Sequence, residues 1–230
     1  MMSVAKQMPV IESKLRHIVK VPDCIYEVSG INVNGKRIKS LVFSTDVAVI
    51  ANCNADAVIA VYPFTPTLQI TKSIIEVSQK PVFVGVGGGT TSGPRVHKIA
   101  FDAELNGATA VVLNAPTKTE FVQELSQIID IPIVLTIVSL DEPLKERMLE
   151  SGASIVNVSG GKNTVEIIKA LREIDKDFPI IATGGPNEDT IKAVIGAGAN
   201  AITYTPPTNG EIFKEMMERY RMQCSHHEEE

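Results

Sequence analysis

The sequence predicts an α/β fold, a (β/α)8 TIM barrel with an N-terminal helix and hairpin extension, and three observations carry that expectation. Eight short apolar runs recur along the 230 residues. Each is near-continuously apolar instead of alternating, the pattern of parallel strands covered on both faces. The stretches between them place apolar residues at helical spacing, so strand and helix alternate along the chain.

Residues 1–40 precede the first barrel strand. The opening MMSVAKQMPVIESKLRHIVK lacks the apolar core of a secretory signal and is expected to supply a helix. IYEVSGINVNGKRIK follows, with Asn34-Gly35 as a two-residue hairpin turn between short alternating runs. This extension is expected to cover one end of the barrel.

The barrel runs are 41–45, 57–62, 82–86, 109–114, 132–138, 154–159, 179–184 and 200–205, with starts 16, 25, 27, 23, 22, 25 and 21 residues apart. The first interval admits only a short helix, VAVIAN. The others predict helices over 67–80, 94–107, 117–129, 142–152, 164–177 and 187–198. Gly107, Gly152 and Gly198 suit helix ends, and Pro81, Pro132 and Pro179 mark strand starts. An open doubly wound sheet would place a glycine-rich turn after its first strand, where this chain reads STDVAV. The whole of 1–230 is read as one barrel domain, with 224–230 as a polar tail.

Composition narrows the function classes. With 22 Lys+Arg against 27 Asp+Glu, the net charge of −5 offers no basic footprint for nucleic acid. No apolar run approaches the roughly 18 residues of a membrane span. Cys24, Cys53 and Cys224 are far apart with no CxxC spacing, which reads as three reduced thiols in a cytoplasmic protein. The exposed helix faces are candidates for a homo-oligomer interface. His226-His227 is not read as a metal site.

Ligands of this fold bind at the C-terminal ends of the strands. The residues there are rich in Gly, Thr, Ser and Asn and poor in ionisable groups, which suits close backbone contacts to an anion. Gly184-Gly185 leaves the seventh strand and opens a helix, Ser159-Gly160-Gly161 leaves the sixth, and Thr205 ends the eighth. These are the phosphate-binding candidates. The loop GVGGGTTSGPRVHK after the third strand is a second anion candidate through Gly88, Gly89, Thr90 and Arg95, although Pro94-Arg95 replaces the Lys-Ser/Thr of a Walker loop.

Catalytic candidates are few. Asp46 reads as a general base or metal ligand, or as the N-cap of VAVIAN. Asn114 and Asn157 would orient a carbonyl or hydroxyl if strand register turns them inward. Lys162 would neutralise a phosphate, or stay solvated. Tyr62 would donate a hydrogen bond or close the site, Tyr204 packs, and Cys53 is buried. His17 and His97 are poorly placed, and no His/Cys/carboxylate spacing indicates a metal site.

NVSGG (157–161) and IATGGPNEDTIKAVIGAGANAITYT (181–205) resemble the ribulose-phosphate-binding barrels, the superfamily of thiamine phosphate synthase, ketodeoxyphosphogluconate aldolase and indole-glycerol-phosphate synthase. That resemblance implies a substrate phosphate on Gly184 and Gly185. Flavin-binding barrels use a similar turn, which makes FMN an alternative ligand, and a lone Asp with substrate oxygens would suit Mg²⁺. Residues 81–117 resemble dihydrodipicolinate-synthase-type aldolases, but Asn157 stands where those enzymes need a Schiff-base Lys. The leading expectation is an enzyme acting on a small phosphorylated metabolite as a lyase, isomerase or transferase. The alternatives are an FMN oxidoreductase, a phosphometabolite sensor resembling the glycerol-3-phosphate-responsive antiterminators, and a hydrolase.

Overall fold

The computed structural model describes residue 11 and residues 18–226. The helix expected ahead of residue 18, with His17, and the tail from His227 lie outside the described residues. A 3-10 turn, Asp23–Glu27, precedes the antiparallel hairpin β1 (Ile31–Val33) and β2 (Lys36–Ile38), whose strands are joined by Asn34 and Gly35 at φ 50° and 83°. Both left-handed residues are what a tight two-residue turn demands.

Eight parallel strands then close into a barrel in the order β10-β3-β4-β5-β6-β7-β8-β9. They are β3 (Ser40–Phe43), β4 (Ala57–Ala60), β5 (Val82–Gly87), β6 (Ala110–Leu113), β7 (Ile133–Ile137), β8 (Ile155–Val158), β9 (Ile180–Thr183) and β10 (Ala201–Tyr204). Closure runs through Ile202↔Ser40, Thr203↔Leu41 and Tyr204↔Val42. The outer ring comprises α1 (Val47–Ala51), α2 (Leu68–Val77), α3 (Pro94–Leu105), α4 (Thr119–Leu125), α5 (Thr164–Ile174), α6 (Glu188–Gly196) and α7 (Asn209–His226).

Period-2 alternation divides the apolar residues into two cores. Outward-facing side chains such as Val42, Val58 and Val156 pack beneath the helices. Inward-facing ones fill the axis around Phe83, and Ile31, Val33 and Ile38 of the hairpin join that inner cluster. The hairpin therefore packs on the barrel axis at the end that holds the strand starts.

Two elements depart from the sequence reading. The helix expected over 142–152 is a π-helical turn, Glu146–Glu150. Glu142 instead turns back, its Oε1 accepting the Val138 and Ser139 amides at 2.7 and 3.2 Å, and Pro143 has no amide to donate. Arg147 is buried and ion-paired to Glu142 Oε2 at 2.7 Å, donating also to the Thr117 and Thr136 carbonyls at 2.6 and 3.2 Å. The second departure is α7, Asn209–His226, which runs through a segment the sequence reading leaves unassigned and into the start of the polar tail.

Candidate functional site

The inward register that buries the inner core turns polar towards the strand ends. On β6 the inward positions run Ala110, Val112, Asn114; on β7, Val134, Thr136; on β8, Ile155, Asn157, Ser159. Likewise Ile181 gives way to Thr183 on β9, and Ala201 to Thr203 and Thr205 on β10. The first strands stay apolar at this level, with Phe43, Ile59 and Val61. Together these residues line a cavity of about 240 Å³ at the barrel mouth, and none of them is ionisable.

Asn157 and Thr203 are only 8% and 5% exposed, yet Asn157 Oδ1 and Thr203 Oγ1 have no hydrogen-bond partner. The Asn157 Nδ2 group donates to Thr136 Oγ1 at 3.4 Å, which leaves its carbonyl oxygen without a partner. Buried polar atoms are nearly always satisfied, so two such oxygens on residues that line one cavity set this end of the barrel apart from the rest of the core.

A second cavity, about 330 Å³, adjoins the mouth and shares Ser159 and Thr183 with it. The β8 and β9 turns meet here: Gly161, Lys162 and Thr164 on one wall, Gly184, Gly185 and Pro186 on the other. Three of the four glycines are hemmed in, since a Cβ on Gly185 would lie 2.5 Å from Thr190 Oγ1, whereas Gly161 meets nothing within 4 Å. A Cβ on Gly160 would lie 2.4 Å from Ile167 Cδ1, and one on Gly184 would lie 2.8 Å from Ile202 Cγ2. Both first glycines are therefore packing residues, and the Gly184 amide is spent on the Thr203 carbonyl at 3.1 Å. Gly161 and Gly185 are exposed at φ 59° and 84°, and their amides have no partner among the described residues. The α6 N-terminus beside them is held by the Asn187–Thr190 capping box.

The remaining candidates scatter. Asn114 and Asn157 do face the mouth, as register permits, and Thr205 lines it. Asp46 does not line it. Its Oδ1 caps α1, accepting the Ala48 and Val49 amides at 2.9 and 3.2 Å, which is the capping geometry the sequence offers beside the base or metal role. Tyr62 accepts the Thr67 amide at 3.0 Å through its hydroxyl, and its task is to brace a loop. The Gly88 amide is spent on the Thr91 carbonyl, a Cβ there would stand 2.0 Å from the Asn114 carbonyl oxygen, and Gly88 faces a separate cavity with Lys118. Gly89, Thr90 and Arg95 are exposed and line neither the mouth nor the diglycine cavity. His97 stacks on Phe121 at 4.4 Å between α3 and α4. Thr136, Thr183 and Thr203 are site residues missing from the sequence candidates, although counting by twos from the apolar inner positions reaches each of them.

An open groove on the far side of the β9 turn carries Tyr204, Pro206, Pro207 and Glu211. Burial pushes the Tyr204 hydroxyl up, and the Thr208 amide and hydroxyl hold the Glu211 carboxyl below its usual range. Neither is thereby tuned towards proton transfer near neutrality. Among the described residues no group of three or more His, Cys, Asp or Glu could hold a metal ion, and no helix is long and apolar enough to cross a membrane.

No protein-family model and no curated protein matches the chain. Solved structures do. Phosphonopyruvate hydrolase in complex with oxalate and Mg²⁺ superposes with TM-score 0.58 at 14% identity, over 84% of this chain and 85% of that one. A dihydrodipicolinate synthase from Bacillus anthracis gives 0.58 at 14% identity, over 80% and 76%. Mandelate oxidase bound to a difluorinated hydroxy-phenylpropionic acid gives 0.61 at 15% identity, over 85% and 72%. These neighbours do not single out the ribulose-phosphate-binding superfamily. At such identities the likeness speaks for architecture: the chain is a (β/α)8 barrel whose C-terminal face carries a neutral polar mouth beside a diglycine-walled cavity.

Proposed function

We propose that this barrel binds a small phosphorylated metabolite and acts on it as a lyase, isomerase or transferase, in the manner the ribulose-phosphate-binding barrels suggest. The phosphate occupies the cavity between the β8 and β9 turns, held by the Gly161 and Gly185 amides, the Ser159 and Thr183 hydroxyls and Lys162. Gly160 and Gly184 let the two turns approach closely enough to form it. The rest of the ligand enters the mouth, where Asn114 and Asn157 orient it and Thr205 closes the edge. One observation carries this reading: both diglycine turns open on one solvent-accessible cavity directly beside two buried, unsatisfied oxygens.

The adjoining cavities of about 240 and 330 Å³ together fall within the roughly 300–1,000 Å³ of small-molecule sites, so FMN stays an alternative ligand. The absence of a carboxylate cluster means that Mg²⁺, if used, is held chiefly by ligand oxygens. Free cysteines fit a cytoplasmic setting, and a homo-oligomer built on the outer helices is part of this proposal.

Calorimetry with inorganic phosphate and with phosphorylated metabolites tests the reading. Binding that is competitive between the two and lost in Gly161→Asp is expected. Equal affinity in the variant would reject the cavity as the phosphate site. A second reading, a non-catalytic sensor, is favoured by the lack of any ionisable group in the mouth; ligand binding without turnover across the bound metabolites would select it.

A further inference from the structure

Resting on the phosphate reading, we infer that the anion held between the β8 and β9 turns is a phosphodiester, with a short alkyl arm in a slot between α5 and α6 and its other arm in the mouth. The cavity behind the turns, about 330 Å³, is larger than one phosphate group and has two unlike ends. At the turn end stand Lys162, Ser159, Thr183 and the Gly161 and Gly185 amides. At the other end α5 contributes Thr164 and Val165, and α6 contributes Thr190, Ala193 and Val194, spaced i, i+3 and i+4 on one helix face. Ser159 and Thr183 also line the mouth, so the slot lies on the far side of the phosphate from it.

The helical end has no side-chain hydrogen bond left to give. Thr164 Oγ1 donates to the Gly161 carbonyl at 2.8 Å. Thr190 Oγ1 donates to the Asn187 carbonyl at 2.7 Å and accepts the Asn187 amide at 3.3 Å. Val165, Ala193 and Val194 are apolar. A water there would lack the polar partners that hold it, whereas an alkyl group gives up nothing and gains burial. The charge agrees. Lys162 is the one ionisable residue among those lining this cavity. A monoester carries close to two negative charges at neutral pH. A diester carries one, which a single lysine matches.

Matched pairs with and without the arm test this by calorimetry: 3-methylbutyl phosphate against inorganic phosphate, and the 3-methylbutyl diester of glycerol 3-phosphate against glycerol 3-phosphate itself. In each pair the arm should tighten binding at least about tenfold. Ala193 is exposed on α6, and Ala193→Trp fills the slot; both ratios should then fall to within about twofold. Ala193→Gln reads the same ratios should the tryptophan variant not fold. Three outcomes would overturn the inference alone, with inorganic phosphate still competing and still lost in Gly161→Asp: no gain from the arm, a gain confined to the monoester, or a gain that survives filling of the slot. Loss of competition, or indifference to Gly161→Asp, would overturn the phosphate reading beneath it.

Discussion

The glycine-rich loop after β5 and the diglycine turns after β8 and β9 look alike in sequence and differ in what their glycines do. In the β5 loop, Gly88 lies against the β6 end so closely that a Cβ would fall 2.0 Å from the Asn114 carbonyl oxygen, and its amide is already bonded to Thr91. At Gly161 a Cβ would meet nothing within 4 Å, and the residue is exposed on a cavity wall. Gly88 serves close packing, and Gly161 leaves a cavity wall open. A small residue signals only that something approaches; the surrounding elements decide whether that is protein or solute.

Substitutions should separate the two uses. The largest effect is expected for Gly88→Ala, where the clash is with backbone and φ is 89°; stability should fall by about 3 kcal/mol or more in a denaturant titration. A fall below about 1 kcal/mol would mean that this loop yields and that its glycine is not a packing residue. Gly184→Ala follows, at about 1–3 kcal/mol, because the methyl group presses on Ile202 and Ile191 at 2.8 and 2.9 Å. Gly161→Asp should lower stability by only about 1–2 kcal/mol, the left-handed penalty, while phosphate affinity drops at least about tenfold from like-charge repulsion. The smallest effect is expected at exposed Arg95: Arg95→Ala should change stability by less than about 0.5 kcal/mol and leave phosphate binding alone. A measurable loss of binding there would return the β5 loop to the list of anion sites.

The strands and the Asn34-Gly35 hairpin were legible because their signals are local: a β-branched run, a turn dipeptide, a proline at the strand start. Asn114 and Asn157 were legible through strand register, and Thr136, Thr183 and Thr203 follow from the same period-2 count along neighbouring strands. The contrast between the open Gly161 and the hemmed-in Gly160, Gly184 and Gly185 was not, since it depends on Ile167, Thr190, Ile191 and Ile202, which only the fold brings there. Asp46 carries two readings that sequence weighs equally, and the structure shows the capping one at its Oδ1. The shortening of the helix expected over 142–152 has its cause in the Glu142 turn and in Arg147 bonding to the Thr117 and Thr136 carbonyls, tertiary bonds with no periodic trace. The last helix was overlooked for the opposite reason: Pro206, Pro207 and Gly210 break the pattern at its start, and Phe213 and Met222 stay exposed, so no clean apolar stripe announces it.

Ile31, Val33 and Ile38 lie within 8% of full burial in the same cluster as Leu41 and Phe83. What precedes the first barrel strand is thus a floor and not an appendage. A chain shortened to begin at Lys39 would let water reach the axis from below. The three lost side chains represent about 1.5–3 kcal/mol of apolar burial each, a sum comparable with the whole margin of a typical domain. The smallest unit that folds alone should begin at or before Ile31.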